Sequence, residues 1–171
     1  MVRVHNRFMR LYEIHGMNTT STLIRELPVE LEVLLWSRQF LRVEFNEFSA
    51  LRMLSSAVTG LHNARSKVYG TTGRYLMANE GIYSLCLGSM YLHGILPLGQ
   101  EGYRALVIQL ASERMKLSYV DRDKLLLANE RFEELTYQNI VPVEHQAVIE
   151  LLALGDKTML QAQRIYPDWF S

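Results

Sequence analysis

The stretch Tyr75-Leu76-Met77-Ala78-Asn79-Glu80-Gly81-Ile82-Tyr83-Ser84-Leu85-Cys86-Leu87-Gly88-Ser89-Met90-Tyr91-Leu92, followed by His93-Gly94-Ile95-Leu96-Pro97-Leu98-Gly99, decides the fold class. Ile82, Leu85, Cys86 and Met90 keep helical spacing. Gly81, Ser84, Gly88 and Ser89 add small residues that permit close helix approach. The run from His93 to Gly99, with two glycines and a proline, stops the helix. A long apolar helix of this kind is stable only when other helices cover it.

The flanking sequence supplies those helices. Downstream, Tyr103, Leu106, Val107, Leu110 and Ala111 form one apolar face. Asp121 is a candidate cap for a helix reaching about Gln138, with Leu125, Leu126, Phe132 and Leu135 along it. Pro142 and Glu144 open a final helix whose Val148, Leu151, Leu152, Met159 and Ala162 face inward. Upstream, Pro28, Glu30 and Glu32 mark a helix start, because proline suits the first turn and acids complement the positive helix end. From Val29 to Tyr69 the chain reads as one long helix or as two broken near Asn46, with Leu51, Leu54, Val58 and Leu61 as an inward stripe. Gly70-Thr71-Thr72-Gly73 reads as the end of that segment. Strand-like alternation is nowhere convincing. The expected fold is all-α, an antiparallel bundle of four to six helices over residues 28–171. Residues 1–27 read as an extension or short helix, with Phe8, Leu11, Tyr12 and Ile14 on it and a polar break from Gly16 to Thr22.

Composition narrows the function classes. The chain has 171 residues, enough for one core and one domain. Lys plus Arg number 18 and Asp plus Glu number 18, so there is no global cationic excess of the sort that displaces counterions from nucleic acid. Cys86 is the only cysteine, which excludes an intrachain disulfide and fits a reducing cytoplasm. The best candidate for a membrane span, Ile82 to Leu98, is interrupted by Gly88, His93, Gly94 and Pro97, and the arginine-bearing first residues do not read as a secretory signal. The expected location is the cytoplasm.

Motifs that carry chemistry are sparse. His5, His15, His62, His93 and His145 are scattered, and none shares a helical face with a second ligand at the spacing that zinc or di-iron sites need. No metal or cofactor is expected. Cys86 lies on an apolar face and reads as structural. Gly70-Thr71-Thr72-Gly73 lacks the lysine and the spacing of a phosphate-cradling loop. Glu130, Glu133 and Glu134 beside Arg131 read as a solvated, partly paired face, and Trp169-Phe170 as a docking tail.

From about Tyr75 to Ile165 the order of features resembles the HEPN family, the "higher eukaryotes and prokaryotes nucleotide-binding" domain. Small HEPN proteins similarly carry a Tyr- and Ala-rich helix ending in a Gly-Leu-x-Pro-like turn, here Ile82-Tyr83-Ser84-Leu85 through Tyr91-Leu92-His93-Gly94-Ile95-Leu96-Pro97. A short helix follows, then one bearing an arginine and a polar-aromatic end, here Arg131 and Thr136-Tyr137. The resemblance implies a bundle dimerising through the Arg-bearing helices. It also implies, for active members, a metal-independent ribonuclease in which arginine holds phosphate and a histidine four to six residues later moves the proton. Here the pattern departs: Thr136, Tyr137 and Gln138 stand in the histidine's range, and Tyr103-Arg104 stands at the start of the helix after the Gly-Leu-x-Pro-like turn, where some relatives place another histidine or lysine. Tyrosine is a poor general base, its ordinary pKa lying about three units above neutrality.

Three function classes follow from these residues. The first is a catalytically degenerate HEPN-like module binding a nucleotide, RNA or a nucleotidyltransferase-type protein partner, within a toxin–antitoxin or defence system. Its candidate binding residues are Arg131, Tyr137 and Arg104, with no catalytic residue assigned. The second is a homodimeric protein-interaction bundle without a ligand site, its surface supplied by Trp36, Phe40, Phe45 and Phe48, a segment that reads equally as buried core. The third is a ribonuclease with rearranged catalytic groups. For Arg131 itself the simplest role is a helix-surface ion pair with Glu134, three residues on.

Overall fold

The computed structural model describes residues 29–36, 38–99, 102–137 and 142–171. Among these, six α-helices and one short two-stranded sheet account for the regular structure. The helices are α1 (Val29–Trp36), α2 (Glu47–Arg65), α3 (Thr71–Tyr91), α4 (Tyr103–Arg114), α5 (Tyr119–Tyr137) and α6 (His145–Ile165). The strands are β1 (Phe40–Arg42) and β2 (Ile95–Pro97). The all-α expectation holds, and no described helix is long and apolar enough to cross a membrane. The expected extension and polar break before Pro28 lie outside the described residues.

Helix α3 is the centre of the packing and touches α2, α4, α5 and α6. Its buried side chains lie all round it, among them Tyr75, Ala78, Ile82, Leu85, Cys86 and Met90. Helix α2 crosses α3 where two glycines meet: a Cβ on Gly60 would lie 2.9 Å from the Gly81 Cα. The expected close approach at Gly81 is therefore a backbone-to-backbone contact. Two turns further along α3, the indole of Trp169 fills the space that a side chain at Gly88 would need. Its ring nitrogen donates to the Ala50 carbonyl at 3.0 Å, which ties the chain's end to α2.

Helix boundaries follow capping chemistry. The long segment after Val29 is broken, and Asn46 caps α2 as its side-chain oxygen accepts from the Ser49 N–H at 2.9 Å. Gly70-Thr71-Thr72-Gly73 does not end α2, which stops at Arg65. It opens α3, with Gly70 as the N-cap. Helix α5 is capped by Ser118 in place of Asp121: the Asp121 N–H donates to the Ser118 hydroxyl, and that hydroxyl donates to the Asp121 carboxylate.

The strands were not foreseen. β1 and β2 pair antiparallel with Phe40 opposite Pro97, Leu41 opposite Leu96 and Arg42 opposite Ile95. Three residues per strand are too few for a period of two to emerge from sequence. Gly94, at φ 72°, supplies the left-handed turn that brings the chain from α3 back to β1. The aromatic segment expected to form one surface is divided. Phe40 is buried and Phe45 stacks on Tyr91, while Trp36 and Phe48 are exposed.

Replacing Trp169 by alanine opens a cavity on Gly88 and strips the Ala50 carbonyl of its donor. We expect it to lower the unfolding free energy by about 3–5 kcal/mol, measured by urea unfolding. A loss below about 1 kcal/mol would show that the C-terminal tail is not part of the core.

Candidate functional site

Arg104 is placed in the first turn of α4 with its side chain directed into the junction of α3 and α5. Its Nε donates to the Asn129 side-chain oxygen at 3.1 Å, Nη1 to Glu80 at 3.0 Å and Nη2 to the Asn79 side-chain oxygen at 3.1 Å. The guanidinium lies between two rings, 4.0 Å from the centroid of Tyr83 and 4.3 Å from that of Phe132. Asn129 passes the network on by donating to Glu133 at 3.0 Å. Asn79 and Asn129 are buried, so without the arginine their oxygens would lose a charged donor. Only arginine offers donors in a planar fork that can reach three acceptors and still present flat faces to two rings. This cluster ties three helices together.

Arg131 meets a different environment. Asn129 and Phe132 face Arg104, whereas Arg131 projects on another side of α5, beside Tyr75. Its Nη1 pairs with Glu134 at 2.8 Å, the local ion pair that its spacing predicts. Tyr137 stands at the end of α5, 80% exposed. The structure thus separates Arg104 from Arg131 and leaves Tyr137 on the surface.

Lys124, Leu127, Ala128 and Arg131 sit three and four residues apart and so share one face of α5. The first three of them line a groove between α5 and α6. The groove has a volume of about 460 Å³, with Tyr75, Ala147, Leu151 and Leu154 among its other walls. That size lies within the range of small-molecule and peptide sites. Asp121 of α5 and Lys157 of α6 close one end, their charges 2.6 Å apart. The Lys157 ammonium, followed by the Ser118 hydroxyl, holds the Asp121 carboxyl below its usual range. Lys124 and Glu150 line the groove without an ion pair among the described residues.

Groups suited to proton transfer at neutral pH are not gathered here. Burial raises the Tyr75 phenol, an effect that neighbouring Arg131 partly offsets. Burial likewise raises Tyr83 far above the ordinary phenol value and pushes the Cys86 thiol up to about 12. All three stay protonated and are weak bases or nucleophiles. Among the described residues no three His, Cys, Asp or Glu side chains group to hold a metal ion. What the groove offers is an apolar floor with charges of both signs along its rim.

No family model, no curated protein and no solved structure matches this chain. The geometry alone therefore carries the functional reading. Sequence reasoning missed Tyr75, Leu151, Leu154 and Lys157, because a groove needs two helices and each contributes only an ordinary amphipathic stripe. The Lys124-Leu127-Ala128-Arg131 face was the one signal available.

Two outcomes separate the arginines. Arg104→Lys leaves a buried asparagine oxygen without its donor, and we expect a loss of about 1–3 kcal/mol in urea unfolding. Arg131→Ala removes a half-exposed pair, with an expected loss under about 1 kcal/mol. Equal losses would contradict the roles drawn above. Asp121 gives a pH dependence of definite sign. Its folded pKa is depressed, so its contribution is complete above the ordinary aspartate pKa of about 3.9 and fades as pH falls through the folded value. The stability gap between the wild type and Asp121→Asn should be widest near neutrality and close on acidification. A gap that does not change with pH would remove the Lys157 pairing as its cause.

Proposed function

We propose that this chain is a non-catalytic, HEPN-like interaction module whose working surface is the α5–α6 groove, and that the groove's occupant is a second copy of the chain. The observation that supports this reading is the groove's make-up: a floor of Tyr75, Ala128, Leu151 and Leu154 with Leu127, 63% exposed, on its wall. An exposed leucine over an apolar floor gains by being covered. The rim favours self-pairing. Lys124 lies toward the Asp121–Lys157 end and Glu150 toward the Ala147 end, so a two-fold arrangement sets each lysine against the partner copy's glutamate.

A nucleotide- or RNA-binding role within a toxin–antitoxin or defence system, or docking of a nucleotidyltransferase-type partner, is the second reading. The placement of Arg131 on the groove face beside Tyr75 favours it. In that role Arg131 contributes the phosphate contact and Tyr137 an exposed ring, while Arg104 only holds α5 in position.

Sedimentation of the purified chain separates these readings. We expect a dimer for the wild type and a monomer for Leu127→Glu, with a dimer dissociation constant at least about tenfold higher in the variant. A dimer that survives Leu127→Glu takes the groove out of the interface, and a wild-type monomer rejects the second copy as occupant. RNA or nucleotide binding that is lost in Arg131→Ala replaces the first reading with the second.

A further inference from the structure

Arg74, the fourth residue of α3, is a buried cation without a counter-ion among the described residues. It is 7% exposed. Its Nε donates to the Ala64 carbonyl at 2.7 Å, and its Nη1 approaches the ring Nδ1 of His145 at 3.5 Å. A guanidinium has only donors, so that imidazole nitrogen accepts. No carboxylate pairs with Arg74 among the described residues. Its Nη2 forms no hydrogen bond there, yet it is not among the side-chain atoms sealed from solvent.

The surroundings make this placement unfavourable. Arg74 lies in the first turn of α3, and its head group reaches the first residue of α6. The positive ends of two helices thus adjoin one buried positive charge. Neither end is neutralised by a side-chain cap. The N-cap of α3 is Gly70, and Glu144, the N-cap of α6, is exposed and makes no capping bond. The two helix starts are tied directly, as the Val143 N–H donates to the Thr72 hydroxyl at 3.4 Å. Two contacts compensate: the Ala64 carbonyl, at the negative end of α2, and the His145 ring nitrogen each satisfy one N–H. A group whose only role was to cap α2 would not need a second nitrogen at His145.

We propose that this seam is a binding site for a phosphate monoester group, with Arg74 as its principal charge and His145, Thr72 and the first N–H groups of α3 around it. A dianion there would neutralise the buried guanidinium, and its oxygens suit both the planar fork and helix-start N–H groups. The approach is open: His145 and Gly70 are exposed, and a Cβ added to Gly70 would meet nothing within 4 Å. The site has no lysine and no long glycine loop, so it takes the terminal group of a ligand and does not cradle a polyphosphate. It is independent of the α5–α6 groove.

Thermal unfolding of the full chain tests it, with inorganic phosphate, adenosine 5′-monophosphate and sodium chloride at matched ionic strength. We expect phosphate to raise the midpoint with the logarithm of its concentration, by roughly 5–10 °C at a hundredfold excess over its dissociation constant, and chloride not to do so. Arg74→Gln should weaken phosphate binding at least tenfold. His145→Asp, at an exposed position, keeps the test decisive should the buried variant fail to fold. It supplies the missing carboxylate from within, so it should raise the midpoint without phosphate and abolish the phosphate response. Arg131→Ala should keep the response, which separates this site from the groove. Adenosine 5′-monophosphate binding tenfold tighter than phosphate would make a nucleotide the source, and equal binding would make it the free ion. Chloride matching phosphate, or His145→Asp responding as the wild type does, overturns the proposal.

Discussion

Helix α3 must be covered on nearly every side, and that requirement organises the rest of the protein. Its apolar residues run around the helix and not along one stripe, so a single partner would leave much of it in water. Four helices share the covering. Each does so where α3 offers a suitable surface: Gly81 admits the backbone of α2, Gly88 admits the Trp169 ring, and Asn79 with Glu80 meets the cation of Arg104. The small residues set how close the neighbours come, and the polar ones set their register.

The Arg104 cluster shows how a polar group fixes what apolar packing leaves open. Leucine and alanine stripes tolerate sliding by a turn, but three hydrogen bonds and two ring faces are met together in only one arrangement of α3, α4 and α5. This specificity has a functional consequence. With α5 held in this rotation, Asn129 and Phe132 turn inward, and Lys124, Leu127 and Ala128 line the groove. An arginine read as a ligand contact thus acts as the element that orients the helix bearing the other candidate.

The two proposed surfaces differ in physical character. The α5–α6 groove is apolar with balanced charges, of which Asp121 and Lys157 pair within the chain, and suits a protein surface of similar make-up. The Arg74 seam is the reverse, a buried cation beside two positive helix ends with no carboxylate paired to it among the described residues. One gains from covering hydrophobic area and the other from supplying charge, so each can act without the other.

The sequence by itself determined what depends on neighbours along the chain. The helical periods of α3, α4 and α6, the Asn46 cap and the Arg131–Glu134 pair were all legible, because each involves residues within about four positions. The role of Gly70-Thr71-Thr72-Gly73 was read as the end of one helix and proved to be the start of the next, since glycine and threonine serve both. Only the tertiary structure decided what depends on residues far apart. The β1–β2 pair joins residues more than fifty positions apart, the groove needs α5 beside α6, and that no carboxylate among the described residues pairs with Arg74 appears only in the packed structure. Helical spacing states which residues share a face. Which face meets which neighbour is set by the packing around α3.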